Sequence, residues 1–389
     1  MEKQFVENAQ RLVMELLAVP GPSGREGRVM EFITRRLRQA GAPMEAIALD
    51  DANLRIPHGG EIGNLICTLP GTVRAPRRLL MAHVDTVPLC AGARPVRRGR
   101  WVVPASKETA LGADDRSGAA VVLGVAMEIL RRRLPHPPLT FLWTVQEEVG
   151  LYGARYARLA MLHRPKLAFN FDGGPADRIT VGATGGYRME IAVRGVASHA
   201  GAAPEKGVSA IAIAALAIAR LHEEGWHGRI EKDGRFGTSN VGVIHGGDAT
   251  NVVTPAVELR AEARSHDPVF RARIVRAIER AFQRAARSVR NQAGVCGKIR
   301  CRGRLDYEAF KLPEDDPSVL AAEAAIADIG GQPFRAISNG GLDANWMSAR
   351  AIPTVTLGSG QQNPHTPAER LDLVEFRRAC RVALRLATG

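Results

Sequence analysis

The sequence predicts an α/β fold, a mixed and mostly parallel sheet with helices on both faces, interrupted by an inserted ferredoxin-like α+β domain. Three observations predict it. Helix-periodic segments alternate with short apolar runs over the first half of the chain, and the same alternation returns near its end. Between them stands a different order, β-α-β-β-α-β. A chain of 389 residues also exceeds the size at which one hydrophobic core usually stops growing.

Residues 5–18 and 26–40 carry apolar side chains at helical spacing. They are divided by Pro20-Gly21-Pro22-Ser23-Gly24, a run that favours a turn. Four apolar runs follow as buried strands: Asn64–Leu69, Leu79–Val87, Leu139–Val145 and Leu167–Phe171. A helix over about Ser117–Arg132 separates the second from the third. Tyr187–Val193 then alternates as a half-exposed strand does. Helix Val208–Glu223, strands Ser239–Ile244 and Ala256–Ala263, helix Pro268–Ser288 and a strand near Lys298–Arg304 complete the insertion. Helix Ser318–Ile329, strand Pro353–Leu357 and a last helix from about Val374 resume the first pattern. The expected division is therefore 1–183 and 309–389 for the outer domain and 184–308 for the inserted one.

Composition narrows the function. No eighteen-residue uncharged apolar stretch occurs, so no membrane span is expected. The N-terminus, MEKQFVENAQRLVMELLAV, is charged and helix-periodic, unlike a signal peptide. The cysteines Cys67, Cys90, Cys296, Cys301 and Cys380 are odd in number and form no Cys-x-x-Cys. That suits a reducing cytoplasm better than a disulfide scaffold or a thiolate zinc site. The net charge of +13 raises the question of nucleic acid. Lysine occurs only at positions 3, 107, 166, 206, 232, 298 and 311; the rest of the 53 basic residues are arginine. The largest basic run, Arg131-Arg132-Arg133, stands at a helix end, where the dipole favours cations. Aromatic residues make up 5% and do not interleave with basic ones to stack bases. An arginine-rich surface is expected, and no nucleic-acid partner.

Five segments place histidine or acidic residues at or just beyond the carboxyl ends of expected strands, the edge where open α/β sheets bind ligands. In Met81-Ala82-His83-Val84-Asp85, strand alternation puts His83 and Asp85 on one face, so the carboxylate can orient the ring. In Leu111-Gly112-Ala113-Asp114-Asp115-Arg116-Ser117-Gly118, a carboxylate flanked by glycines precedes a helix, which one of the two aspartates would cap. Thr144-Val145-Gln146-Glu147-Glu148-Val149-Gly150 ends an apolar strand on adjacent glutamates. Both reach one site only if a turn begins there, which Gly150 and Gly153 permit. Asn170-Phe171-Asp172-Gly173-Gly174 closes the fourth strand, and Asn363-Pro364-His365-Thr366-Pro367-Ala368-Glu369 follows the strand near Thr354–Leu357. Each alone reads as a solvated loop, a cap or a turn.

Together they define a donor set. His83, Asp114, Glu148, Asp172 and His365 offer two imidazoles and three carboxylates with no thiolate, which suits Zn²⁺, with Co²⁺ or Mn²⁺ as alternatives. Three carboxylates, two divalent ions and a bridging hydroxide sum to zero charge, so two metals per chain are expected. Glu147 is then left beside a ligand without being needed as one, and is the natural general base.

These segments resemble the motifs of the co-catalytic zinc exopeptidases, the family of tripeptidase (peptidase T), carboxypeptidase G and the aminoacylases. The resemblance is carried by His83-Val84-Asp85-Thr86-Val87-Pro88, Leu111–Gly118, Glu147-Glu148-Val149-Gly150, Asp172-Gly173, Ser198-His199-Ala200-Gly201, Gly340-Gly341-Leu342-Asp343-Ala344-Asn345 and His365-Thr366-Pro367-Ala368-Glu369. It is nearest the peptidase T-like branch. It implies that Asp114 bridges two metals, with His83 and Asp172 completing one site and Glu148 and His365 the other. Asp85 would orient His83, and Glu147 would serve as base and acid. The inserted domain would be a lid and dimerisation domain, His199 an oxyanion donor, and Asn251 and Arg264 substrate contacts. The implied activity is hydrolysis of a peptide bond in short peptides, as an aminopeptidase and a homodimer. An N-acyl amino acid deacylase or a dipeptidase would use the same metals; a non-catalytic peptide-binding or regulatory protein would be expected to lack a ligand, and none is missing. Arg116 stands where the branch usually has lysine, and no role is assigned to it.

Overall fold

The four apolar runs of the first half form strands because each is bounded by turn residues and can bury both of its faces. In the computed structural model, which describes residues 2–389, they span Leu65–Leu69, Arg78–His83, Leu139–Thr144 and Leu167–Phe171. The chain divides into two compact units. One comprises Met1–Gly182, Lys311–Ser338 and Leu342–Gly389; the other comprises Ala183–Phe310 with Asn339–Gly341.

The first unit is built on a nine-stranded mixed sheet. Its centre runs in the order Leu65–Leu69, Leu139–Thr144, Arg78–His83, Leu167–Phe171, Val355–Leu357 and Arg178–Ala183. The four middle strands of that run are mutually parallel, and the strands flanking them are antiparallel. On one face Leu79, Met81 and Leu142 pack against Ala154, Leu162 and Met347. On the other, Trp143 donates its indole N–H to the Ala119 carbonyl of helix Ala113–Arg132, at 3.2 Å. Alternate side chains of one strand thus serve opposite helical layers. Parallel neighbours end at the same edge, so the segments after Arg78–His83, Leu139–Thr144 and Leu167–Phe171 emerge side by side.

Two departures from the sequence reading bear on the site. The strand expected to reach Val87 stops at His83; one last bond to the neighbouring strand follows, and the backbone then turns to the Gly21–Ser23 segment. Val84 N–H donates to Thr144, and Thr86 exchanges bonds with Gly21 and Ser23. A small sheet of Pro95–Arg98, Trp101–Pro104, Gln361–Gln362 and Arg370–Asp372 was not expected. Its strands are two to four residues long, too short to show alternation. It matters because Gln361–Gln362 and Arg370–Asp372 pair antiparallel and so clamp the loop that carries His365.

In the second unit all strand pairs are antiparallel, in the order Gly228–Lys232, Arg235–His245, Ala256–Ser265, Gly185–Arg194 and Lys298–Tyr307. Helices Ala210–Glu223 and Pro268–Ser288 cover one face, burying Ile191, Val193, Ile213, Leu259, Phe270 and Phe282. The order β-α-β-β-α-β is present, with Gly228–Lys232 added as an edge strand.

Helix Ala113–Arg132 lies so close to Leu167–Phe171 that a Cβ on Gly118 would stand 1.7 Å from the Phe171 carbonyl oxygen. Gly118→Ala is therefore expected to cost about 3 kcal/mol through overpacking. Urea unfolding should show a lower midpoint with an unchanged slope. An unaltered midpoint would contradict this packing.

Candidate metal centre

Three neighbouring strand ends and two loops bring the five expected ligands together. His83 is the last residue of its strand and is buried. Asp172 follows the adjacent strand, its N–H fixed by the Leu357 carbonyl at 3.0 Å. Glu147 and Glu148 follow Leu139–Thr144 in a turn that starts at Gln146, where φ is +52°. The turn closes through Gly150 N–H and Leu151 N–H on the Glu147 carbonyl, at 3.0 and 2.8 Å. Adjacent glutamates can therefore serve one site, as strand geometry alone would forbid. Asp114 and Asp115 have non-helical backbone angles at the head of Ala113–Arg132. Asp115 is the capping aspartate, accepting Gly118 N–H at 3.0 Å, which leaves Asp114 for the site.

Asp114 is the shared member. Its Oδ1 lies 3.2 Å from His83 Nε2 and its Oδ2 lies 3.3 Å from His365 Nε2. Ligand atoms of His83, Asp114 and Asp172 lie within 4.8 Å of one another, and so do those of Asp114, Glu148 and His365. His365 Nε2 also approaches Glu148 Oε2 at 2.8 Å. Both imidazoles thus turn Nε2 inward, while His83 Nδ1 faces Asp85 Oδ1 at 3.4 Å. A carboxylate on Nδ1 leaves Nε2 free to act as a ligand.

A second set of buried carboxylates holds the ligand loops by their backbones. Asp85 accepts Glu147 N–H at 2.9 Å, Glu148 N–H at 3.2 Å and the Ser23 hydroxyl at 2.6 Å. Glu369 accepts Leu111 and Gly112 N–H at 2.8 Å each and Asp114 N–H at 3.0 Å. Asp343 accepts the Thr144 hydroxyl, and Gln361 donates to Asp172 at 3.2 Å. Sequence reasoning quoted Glu369 and Asp343 within motifs but gave them no role. Their partners stand 258 and 199 residues away, and no local pattern signals such a bond.

The electrostatics test whether this donor set fits a cation. Burial, helped by the Asp114 charge, raises the Asp172 carboxyl to about 7. Burial raises Asp343 to about 6, despite the Thr144 hydrogen bond. Burial raises Glu147 well above the carboxylate range, with the charges of Asp172, Asp343 and Glu148 adding to it. Glu148 is raised by burial, against its bond to His365. Hydrogen bonds to Asp114 and Glu148 raise His365 to about 10. Burial alone would lower His83, yet Glu147, Asp114 and Asp85 raise it well above its usual value. Acids driven toward neutrality around imidazoles drawn toward a charge describe a pocket short of positive charge. Nitrogen and carboxylate donors without thiolate fit zinc, cobalt or manganese.

Residues 79–389 match Peptidase family M20/M25/M40. The chain belongs to this family. A Bacillus subtilis (strain 168) relative, the uncharacterized protein YqjE, is 32% identical over 373 residues, covering 95% of each chain. A tripeptidase from Staphylococcus aureus subsp. aureus Mu50 superposes with a TM-score of 0.86 at 29% identity, over 98% of each chain. Aminopeptidase PepT from Bacillus cereus ATCC 10987 superposes with a TM-score of 0.82 at 31% identity, again over 98% of each.

The remaining residues expected in an M20/M25/M40 site belong to the second unit. His199 sits on the two-residue strand Ser198–His199, paired with Val252–Val253. Ala200 N–H donates to the Asn251 carbonyl at 2.9 Å, so His199 and Asn251 share one corner of that unit. His199 Nδ1 accepts Gly201 and Ala202 N–H at 3.2 and 3.0 Å. Nδ1 is thereby used as an acceptor, and Nε2 is the ring nitrogen left to donate. Arg264, on strand Ala256–Ser265, is held by both carboxylate oxygens of Glu262 at 3.0 Å each. No helix among the described residues is long and apolar enough to cross a membrane.

These shifts set a pH dependence for metal-stripped protein. The folded Asp172 pKa lies above the ordinary value of 3.8, so between about 4 and about 7 the folded state keeps a proton that the unfolded state has released. Stability then falls as pH rises through that window. His365, raised from 6.5 to about 10, contributes stability below pH 6.5 that is lost as pH rises toward 10. Tm of the metal-free protein should therefore be lower at about pH 9 than at about pH 5, and added Zn²⁺ should raise it more at the higher pH. A Zn²⁺ effect independent of pH would contradict the shifts.

Proposed function

We propose that this chain is a metal-dependent exopeptidase that removes the N-terminal residue of short peptides, using two divalent ions per chain. Zinc is the proposed metal, with cobalt or manganese as alternatives, and the working form is a cytoplasmic homodimer. Support for the peptide substrate comes from the two structural relatives, a tripeptidase and an aminopeptidase.

The observation that carries the reading is Glu147. It is buried beside both ligand groups, with Oε2 4.0 Å from His83 Nε2, yet belongs to neither triad. Its pKa is raised by burial first, and then by the neighbouring acids. A buried carboxyl whose pKa is raised above the ordinary carboxylate range can accept a proton and give it back, which is what general acid–base catalysis needs. His83, Asp114 and Asp172 would hold one ion, and Asp114, Glu148 and His365 the other. Bound there, the ions would supply Lewis-acid polarisation and lower the pKa of water. Glu147 would take the proton from the attacking water and hand it to the leaving amine, so one carboxylate serves as base and then as acid. Asp85 would keep His83 oriented. His199 would supply the oxyanion donor, and Asn251 and Arg264 the substrate contacts.

The test is a panel of tripeptides, dipeptides and N-acyl amino acids assayed with added Zn²⁺, Co²⁺ or Mn²⁺. Free tripeptides should be cleaved and their N-acetylated forms refused. Preferential release of acyl groups would instead make the chain a deacylase. Glu147→Gln should lose at least ~10²-fold in turnover and keep its metals. Turnover within a few fold of wild type would remove Glu147 from this role.

A further inference from the structure

Residues before 79 lie outside the span matched to the family, yet one segment of them ends on the scaffold of the metal centre. Arg116, which sequence reasoning left without a role, is 1% exposed. Its Nη1 donates to the Leu16 carbonyl and its Nη2 to the Gly21 carbonyl, both at 3.3 Å. Gly21 also accepts Thr86 N–H at 3.2 Å. A Cβ at Gly21 would stand 2.6 Å from Arg116 Nη2, so a side chain there would have to push the guanidinium from its place. The turn so seated sends two side chains inward. Ser23 donates its hydroxyl to Asp85 Oδ2 at 2.6 Å. Glu26, fully buried, accepts Gly24 N–H at 2.7 Å and Gln146 N–H at 3.1 Å on Oε1.

Three consecutive N–H groups, those of Gln146, Glu147 and Glu148, are thus captured by two buried carboxylates, Glu26 and Asp85. The capture starts at Gln146, the residue with φ +52° at which the chain leaves its strand. The Gln146 side chain is fixed as well, donating to the Gly59 carbonyl at 3.0 Å and meeting His58 Nε2 at 2.8 Å.

We propose that Ser23 and Glu26, in a turn seated by Arg116, are positioning residues that set the backbone of the Glu147–Glu148 segment. Ser23 fixes the rotation of Asp85, and Glu26 fixes the peptide from which both glutamates hang. The catalytic consequence rests on the function proposed above. The structural consequence does not, and displacement of a reacting group by about 1 Å is enough to cost on the order of 10²-fold in rate.

The test reads both. Amide hydrogen exchange is followed in the metal-free, full-length chain, and peptide hydrolysis in the metal-loaded one. Glu26→Ala should speed exchange at Gln146 by about tenfold or more. It should lower kcat by roughly 10–10²-fold with KM nearly unchanged. Glu26→Gln keeps an acceptor oxygen and should restore both. Ser23→Ala, a milder change, should speed exchange at Glu147 and Glu148 while sparing Gln146. Wild-type exchange rates at Gln146 in Glu26→Ala would overturn the proposal, as would a Glu26→Gln variant that restores neither exchange nor kcat. A wild-type chain that cleaves no substrate would sink the proposed function alone, and exchange would still decide the positioning.

Discussion

Asp114 presents one carboxylate oxygen to each of two inward-facing imidazoles, and the rest of the centre is arranged around that contact. Carboxylates crowd on either side of it, with Asp172 toward His83 and Glu148 toward His365. Buried acids at such spacing repel and lose hydration, costs that no protein recovers by packing alone. Burial raises Asp172, Glu147 and Glu148, while Asp114 alone is held low, because its two histidine partners outweigh the burial. The fold thus maintains a deficit of positive charge at one point. A shared carboxylate with a histidine on each side is a natural seat for two cations rather than one.

Holding that deficit in place falls to a different set of acids, which bond chiefly to backbone; of them Asp85 also faces the centre, through His83 Nδ1. Asp85, Glu369 and Glu26 each collect two or three donors. A carboxylate can accept several N–H bonds at once, and bonds to an ionised acceptor are the stronger kind. Each ligand loop is therefore fixed by its main chain, leaving ligand side chains no competing task. The short sheet that clamps the His365 loop does the same work with strand pairing.

Much of this juxtaposition was legible in the sequence because the candidate ligands sit at strand ends, and strand ends are marked by apolar runs giving way to glycine and acid. His83, Glu148 and Asp172 are all found that way, and the parallel order of their strands places them together. Glu147 was read as the acid left over beside Glu148, and the structure buries it next to His83 and outside both candidate triads. What escaped notice has no local signature. Glu369 reaches back to Leu111, and Glu26 forward to Gln146, through turns whose composition announces only turns. The end of the strand at His83 was misplaced because Val84, Thr86 and Val87 are β-branched and strand-like in composition, although beyond Val84 the backbone has turned to Gly21 and Ser23. In the second unit, periodicity of two and of 3.6 residues located four strands and two helices, and missed the edge strand Gly228–Lys232, whose pattern is mostly exposed.

The central claim is that Asp114 is shared by two ions. Calorimetric titration of metal-free protein with Zn²⁺ tests it most directly, comparing wild type with Asp114→Ala. The account predicts two equivalents per chain for wild type and the loss of both in the variant, since each centre loses an oxygen. Two equivalents bound by Asp114→Ala with wild-type affinity would contradict it.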